Sequence, residues 1–151
     1  MPISIIAVGR LKPGPLQELC DEYRRRLPFA VDMREVEERR PLAGAERKAR
    51  EGELILAALP KGAFTVALDE RGKAHDSAAF ARQFAAWREG SDTLAFVIGG
   101  ADGLAPAVLE KASTRLAFGT MTWPHLLARA MLLEQIYRAH TILTGHPYHR
   151  P

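Results

Sequence analysis

Short apolar runs alternate along the chain with longer stretches in which apolar residues recur at helical spacing. The short runs predict β-strands at residues 3–8, 31–36, 64–68, 94–98 and 114–118. The helical spacing predicts helices at residues 16–27, 43–59, 78–88, 106–112 and 125–144. Strands that alternate with helices are typical of an α/β domain with a mostly parallel sheet flanked by helices.

The strength of each apolar run predicts the position of its strand in the sheet. Residues 94–98 are continuously apolar, which favours the centre of a parallel sheet, whereas residues 31–36 alternate weakly, which favours an edge. Ser77 is a candidate N-cap, and Gly145 with Pro147 predicts the end of the last helix. Because no linker or internal repeat interrupts the pattern, we expect a single domain over residues 1–151.

Composition places the chain among ordinary globular proteins, with 47% hydrophobic and 26% charged residues. Its net charge of +3 is compatible with binding to nucleic acid, but many proteins that do not bind nucleic acid have a similar charge.

The lone cysteine, Cys20, predicts a buried free thiol in a reducing compartment. Residues 3–8 lack a preceding basic region, and no apolar run is long enough for a bilayer. We therefore expect a cytoplasmic protein without a signal peptide or membrane contact.

Two helices carry features with more than one interpretation. The predicted helix at residues 43–59 contains Arg47, Lys48 and Arg50 among acidic residues. A solvated face with mixed-sign ion pairs is favoured over an RNA-binding face, and both stay open. Phe80, Phe84 and Trp87 repeat at helical spacing, which indicates core packing rather than a cofactor site.

Three predicted strand ends are candidates for a ligand site, since open α/β sheets bind ligands beyond the carboxyl ends of their strands. These ends are Leu68, the Gly99–Gly100 pair and the segment 118–120. The two glycines would allow close approach of a ligand or simply make a turn. The chain lacks the spaced-glycine and Lys-Ser/Thr phosphate fingerprints, and no basic residue stands at these ends. A flat, weakly charged ligand such as an adenine nucleoside is the expectation.

The last helix is apolar over a wide arc, which predicts burial against its own sheet and a second subunit. Glu134 and Arg138 predict a local salt bridge. Arg129 has no obvious local carboxylate, and a phosphate or partner contact and a solvated side chain both stay open. In the tail, His146 and His149 have no carboxylate or thiolate nearby, so no metal is expected. Tail residues of the Tyr, His and Arg types favour an RNA contact over a frayed end.

Four motifs together resemble one family. The tail reads Gly-His-Pro-Tyr-His-Arg at residues 145–150, and Leu-Glu-Gln-Ile-Tyr-Arg-Ala occupies residues 133–139. Trp-Pro-His stands at residues 123–125 and Ile-Gly-Gly at residues 98–100. The combination resembles the ribosomal large-subunit pseudouridine N3-methyltransferases, the small single-domain members of the SPOUT methyltransferase class. The similarity spans the whole chain.

The resemblance implies a C-terminal trefoil knot, a homodimer, and S-adenosylmethionine as methyl donor without a metal. The implied substrate is a pseudouridine in the 23S rRNA of the assembled ribosome. His149 would take or relay the N3 proton while Tyr148 and Arg150 orient the RNA, with His125 as the weaker candidate base. His125 and Arg129 are further RNA-binding candidates. The implied donor site comprises Leu68, Gly99, Gly100, Phe118, Gly119, Thr120, Met121, Thr122 and Trp123.

Three alternatives stay open. The first is a methyltransferase of the same class that acts on another RNA. The second is a non-catalytic nucleotide-binding α/β module, which would bind an adenine nucleotide without methyl transfer. The third is a metal-dependent hydrolase that uses His146 and His149.

Overall fold

The computed structural model describes residues 2–151, in which strands and helices alternate as the apolar pattern predicts. The strands are β1 Ile3–Val8, β2 Val31–Val36, β3 Phe64–Ala74, β4 Leu94–Ile98 and β5 Thr114–Ala117. The helices are α1 Pro15–Arg26, α2 Gly44–Ala58, α3 Ser77–Glu89, α4 Pro106–Lys111 and α5 His125–Thr144. The predicted α/β architecture is confirmed.

The five strands form one sheet in the order β2-β1-β4-β3-β5. All four neighbouring pairs are parallel. The continuously buried strand β4 occupies the centre and the half-exposed β2 lies at an edge, as predicted. Because β3 lies between β4 and β5, its residue Leu68 pairs with Ile98 at the end of β4 and with Leu116 of β5.

Successive side chains of each strand point to opposite faces of the sheet, so the sheet supports two apolar clusters. Ile3, Ile5, Val66 and Phe96 belong to one cluster, which α1, α3 and α5 complete; it includes Phe80, Phe84 and Trp87 as core residues, as predicted. Ile6, Ala67 and Val97 belong to the other cluster, with Ile55 of α2 and Val108 of α4. Helices therefore cover both faces. Cys20 lies buried as a free thiol.

Two local predictions were wrong. β3 does not end at Leu68 but continues to Ala74, because the chain bulges after Leu68 and then pairs with β5 again: Leu116 is the partner of both Leu68 and Lys73. The N-cap of α3 is Asp76 rather than Ser77, since its Oδ1 accepts the N–H of Ala79 at 2.7 Å. The hydroxyl of Ser77 instead donates to Gln135.

The charged face of α2 carries ion pairs of mixed sign, the interpretation that the sequence favoured. Arg50 pairs with Glu53 at 2.7 Å and with Glu38 at 3.0 Å. Glu38 also accepts from Arg40, and the two guanidinium groups lower the pKa of its carboxyl to about 2. Within residues 2–151, no helix combines the length and apolar character needed to cross a membrane.

Candidate functional site

A cleft of about 830 Å³ opens beside the carboxyl ends of β4 and β5 and the bulge that follows Leu68 in β3. Its lining combines the three strand ends that the sequence singled out with the loop that follows β5. The predicted residues that line it are Leu68, Gly99, Gly100, Phe118, Gly119, Met121, Thr122 and Trp123. Thr120 is exposed and stands outside the described lining. The structure therefore brings together eight of the nine predicted donor-site residues, whose contacts with a ligand stay a prediction.

The two glycines after β4 have different surroundings, so a side chain would meet different neighbours at each position. A Cβ on Gly99 would lie 2.7 Å from the carbonyl carbon and oxygen of Gly103, so the close turn excludes any side chain there. A Cβ on Gly100 would lie 3.1 Å from Val8 Cγ1 and from one carboxylate oxygen of Glu51. Gly99 thus serves the turn, whereas Gly100 leaves room between the cleft and a buried carboxylate.

The loop after β5 is held in a defined shape by two side-chain hydrogen bonds. The indole N–H of Trp123 donates to the carbonyl of Phe118 at 3.2 Å. The hydroxyl of Thr122 donates to Glu70 in the β3 bulge at 2.8 Å. Met121 is 70% exposed at the mouth of the cleft. The two hydrogen bonds therefore fix the loop that carries the apolar side chain of Met121 at the cleft.

The cleft is more charged than the strand ends alone indicate. Lys48 of α2, Arg71 of the β3 bulge and Arg115 of β5 all contribute to its lining. The expectation that basic residues are missing was wrong because it considered the strand ends alone, whereas α2 and the bulge fold over the site. Glu51, one turn after Lys48, is buried beside Gly100, and burial raises the pKa of its carboxyl. The spacing of three residues between Lys48 and Glu51 indicates that they share one side of α2, but it does not indicate what that side covers.

The two RNA-binding candidates on α5 have different environments. His125 lines the cleft and is half-buried, and burial together with the nearby Arg129 lowers its pKa. Arg129 is only 1% exposed and forms an ion pair with Glu35 at 2.5 Å. It also donates to the carbonyl of Gly9 at 3.1 Å. The expectation of an RNA contact for Arg129 was wrong, because its guanidinium holds the ends of β1 and β2 inside the protein.

The tail does not extend into solvent but folds back along α5. Gly145 adopts a left-handed conformation with φ of 76°, and the N–H of His146 donates to the carbonyl of Thr141 at 2.9 Å. This helix stop reverses the chain. The Tyr148 hydroxyl donates to Glu134 at 3.0 Å. Burial and its hydrogen bonds raise the pKa of Tyr148 well above its usual range, so this phenol is a donor and not a base.

His149 lies against the Glu134–Arg138 pair. The predicted salt bridge between Arg138 and Glu134 is confirmed at 2.6 Å, and Arg138 Nη1 lies 3.0 Å from Nδ1 of His149. Arg150 is exposed. The contact between Arg138 and His149 was not predicted. The spacing of Glu134 and Arg138 does not indicate a third partner eleven residues after Arg138.

The tail and the cleft lie far apart on one chain. His125 at the start of α5 lines the cleft, whereas His149 is held at Arg138, about 20 Å further along the helix at 1.5 Å per residue. The described cleft lining contains no tail residue. The imidazole of His146 accepts the N–H of Tyr148. Residues 2–151 contain no group of three or more His, Cys, Asp or Glu side chains placed to hold a metal ion.

Comparisons with known proteins identify the family of this chain. The family model described as "Predicted SPOUT methyltransferase" matches residues 1–149. The "Ribosomal RNA large subunit methyltransferase H" of Paramagnetospirillum magneticum is 57% identical over 152 residues, covering 100% of both chains. The protein of the same name from Rhodospirillum centenum is 56% identical, covering 99% of each.

A solved structure also resembles this chain. It is described as that of "a probable methylase family protein from Haemophilus influenzae Rd KW20" and matches with a TM-score of 0.60 at 12% identity. The match covers 99% of this chain and 70% of that one, and at this identity it supports the fold alone. On the family model and the two full-length relatives, the chain belongs to the SPOUT methyltransferase family, as its motifs predict.

Proposed function

We propose that this protein transfers the methyl group of S-adenosylmethionine to N3 of a pseudouridine in the large-subunit rRNA of the assembled ribosome. The observation that carries the proposal is full-length similarity to the two rRNA methyltransferases, at 57% and 56% identity. A cleft beside the carboxyl ends of β4 and β5, where open α/β sheets bind ligands, supports the proposal. Such an enzyme works among ribosomes, so we expect it in the cytoplasm.

The cleft fits the donor in size and chemistry. Its volume of about 830 Å³ lies in the range of small-molecule sites. Leu68 and Met121 offer apolar contacts for an adenine ring, and the loop backbone at Phe118 and Gly119 offers hydrogen bonds. Gly100 leaves space where a Cβ would crowd Val8 and Glu51. When bound, S-adenosylmethionine supplies an electrophilic methyl group.

The reaction requires the target nitrogen to lose a proton. N3 of pseudouridine is an imide nitrogen between two carbonyl groups, and its lone pair is available only after deprotonation. N3 then forms a bond to the methyl carbon while the electrons of the carbon–sulfur bond move to sulfur, giving a neutral thioether. The chain supplies most of the rate by holding the two reacting atoms in line. Tyr148, His149 and Arg150 are the residues that we propose to bind and orient the base.

A homodimer would bring the separated parts together. On its own chain, His149 is held about 20 Å along α5 from His125, whereas a second copy in the opposite direction could place its tail beside the cleft. Beside α5 lies a groove of about 720 Å³ with apolar residues such as Leu127 and Met131 in its lining. Leu19 in this groove is 41% exposed, and Leu143 of α5 is 48% exposed. We propose that a second subunit covers this surface. The trefoil knot stays a prediction.

The first experiment measures transfer of labelled methyl from S-adenosylmethionine to ribosomes that lack the modification. Free large subunits, naked rRNA and tRNA are tested beside them. We expect label in assembled ribosomes, at a pseudouridine. Label in tRNA or naked rRNA alone would refute the target and retain the enzyme class. Donor binding without any transfer would favour the non-catalytic nucleotide-binding module.

The shared site is tested by mixing two inactive variants. His149→Ala removes the tail function, and Leu68→Trp fills the cleft. If cleft and tail act across the dimer, mixed dimers contain one intact site, and activity returns when the two proteins are mixed and allowed to exchange subunits. Mixing each variant with itself is the control. A mixture as inactive as its components would show that the site does not form across subunits.

The proposed dimer surface is tested by Leu19→Glu, which places a charge in the groove beside α5. We expect this variant to be monomeric in sedimentation equilibrium.

A further inference from the structure

The contact between Arg138 and His149 defines which ring nitrogen of His149 carries the proton. Arg138 Nη1 lies 3.0 Å from Nδ1 of the ring. A guanidinium group has only N–H donors and stays charged at any physiological pH. Nδ1 must therefore be the acceptor, with its lone pair directed at Arg138. In a neutral imidazole the hydrogen atom then resides on Nε2.

Arg138 is itself fixed, so the contact is not an accident of a mobile side chain. Its Nε and Nη2 atoms donate to the same oxygen of Glu134, at 2.9 Å and 2.6 Å. The guanidinium carbon lies 4.7 Å from the ring centre of Tyr148. Glu134 accepts further hydrogen bonds from Tyr148 at 3.0 Å and from Gln135 at 2.7 Å. These contacts hold the guanidinium in the one orientation that reaches His149.

A ring in this state is not prepared to act as a base. A general base needs a free nitrogen lone pair within reach of the proton that it takes. In His149 the lone pair of Nδ1 is occupied by Arg138, and Nε2 already carries a hydrogen atom. Proton uptake at Nδ1 would break the contact and set an imidazolium beside a guanidinium. The arrangement instead presents one N–H donor away from Arg138.

We propose that Glu134 and Arg138 are positioning residues that hold His149 as an Nε2–H donor to a carbonyl oxygen of the target base. The proposal rests on the proposed function and replaces the proton-acceptor role expected for His149. As N3 loses its proton, negative charge spreads onto the two flanking carbonyl oxygens, and a fixed donor stabilises that charge. The N3 proton passes to water, so His149 exchanges no proton in the reaction.

The tautomer can be measured without any methyl transfer. In protein labelled with ¹⁵N in its histidines, two-bond ¹⁵N–¹H spectra distinguish rings protonated on Nε2 from those protonated on Nδ1. The signals that disappear in His149→Gln belong to His149. We expect Nε2–H in the wild type and a mixture of tautomers in Arg138→Ala. A ring protonated on Nδ1 in the wild type would refute the proposal.

A matched control comes from α1. Arg25 forms an exposed ion pair with Glu22 at 2.7 Å, at a spacing of three residues and on a different helix. Arg25→Ala should leave the His149 signals unchanged, which separates the effect of Arg138 from the loss of any surface arginine. If Arg138→Ala also leaves them unchanged, Arg138 does not set the tautomer. Far-UV circular dichroism confirms that each variant is folded, and Arg138→Lys provides a milder change that keeps the charge.

Single-turnover methyl transfer then tests the chemical role. Glutamine places an N–H donor near the position of Nε2 but does not take up a proton near neutral pH. We expect His149→Gln to stay within about tenfold of wild type, and His149→Ala to lose about 10²–10³, the usual cost of removing such a donor. Equal losses in both variants would refute the donor role. If wild type transfers no methyl group, the proposed function fails, while the spectra still decide the tautomer.

Discussion

Replacing Arg129 by methionine should destabilise the protein strongly, because Arg129 is buried and forms an ion pair. Its side chain is 1% exposed, pairs with Glu35 at 2.5 Å and donates to the Gly9 carbonyl at 3.1 Å. The substitution removes a buried ion pair, which typically costs about 3–5 kcal/mol when one partner goes. Glu35 is 33% exposed, so water recovers part of its loss, and methionine fills most of the volume. We expect the free energy of unfolding to fall by roughly 3 kcal/mol.

The assay is urea denaturation followed by far-UV circular dichroism at fixed protein concentration, since subunit association would add to the measured stability. Arg25→Met is the matched control: its pair with Glu22 is exposed and should contribute at most about 1 kcal/mol. The double variant Arg129→Met with Glu35→Gln should lose less than the sum of the two single losses, because each single change leaves the other charge unpaired. A loss for Arg129→Met no larger than that for Arg25→Met would refute this reasoning.

Three further changes test other parts of the structure. Gly99→Ala places a Cβ 2.7 Å from the Gly103 backbone, so it should lower the free energy of unfolding by about 1–3 kcal/mol in the same assay. Glu38→Gln should lower the free energy of unfolding at pH 7, and this difference from wild type should disappear as pH falls from 4.5 to about 2. The reason is that the pKa of Glu38 is lower in the folded than in the unfolded protein, so its carboxylate stabilises the fold above pH 4.5 and stops doing so once it is protonated. Tyr148→Phe removes the donor to Glu134 and should speed amide hydrogen exchange at His146 and at residues 148–150 while leaving exchange in β4 unchanged.

The sheet was predictable because its signals are local and strong. The continuously apolar run of β4 and the weak alternation of β2 depend on burial alone, and burial follows from position in the sheet. The bulge in β3 was not predictable, since residues 69–72 look like a polar loop. The pairing of Lys73 with Leu116 depends on a strand more than forty residues away.

The cleft was partly predictable for the same reason. The apolar runs that end at Leu68 and Ile98 are local features, so the sequence alone was enough to group Leu68, Gly99 and Gly100, although β3 continues past Leu68. Lys48 could not be added to that group, because nothing in α2 reveals which strand ends it covers. Arg129 was misjudged since its partner, Glu35, is ninety-four residues distant in sequence. A lone cation on a helix predicts a partner but does not say whether that partner is RNA or protein.

The Glu134–Arg138 pair shows how a correct local prediction can miss the consequence that matters. Spacing of four residues on a helix predicts the ion pair and predicts nothing beyond a small gain in stability. The helix stop at Gly145 then returns the tail so that His149 meets the free edge of the same guanidinium. Because the arginine side chain can only donate hydrogen bonds, the contact with Arg138 makes Nδ1 of His149 the acceptor. The contact therefore decides the tautomer of the ring and the chemistry that His149 can perform. The residue type suggests a base, whereas its partner makes it a donor.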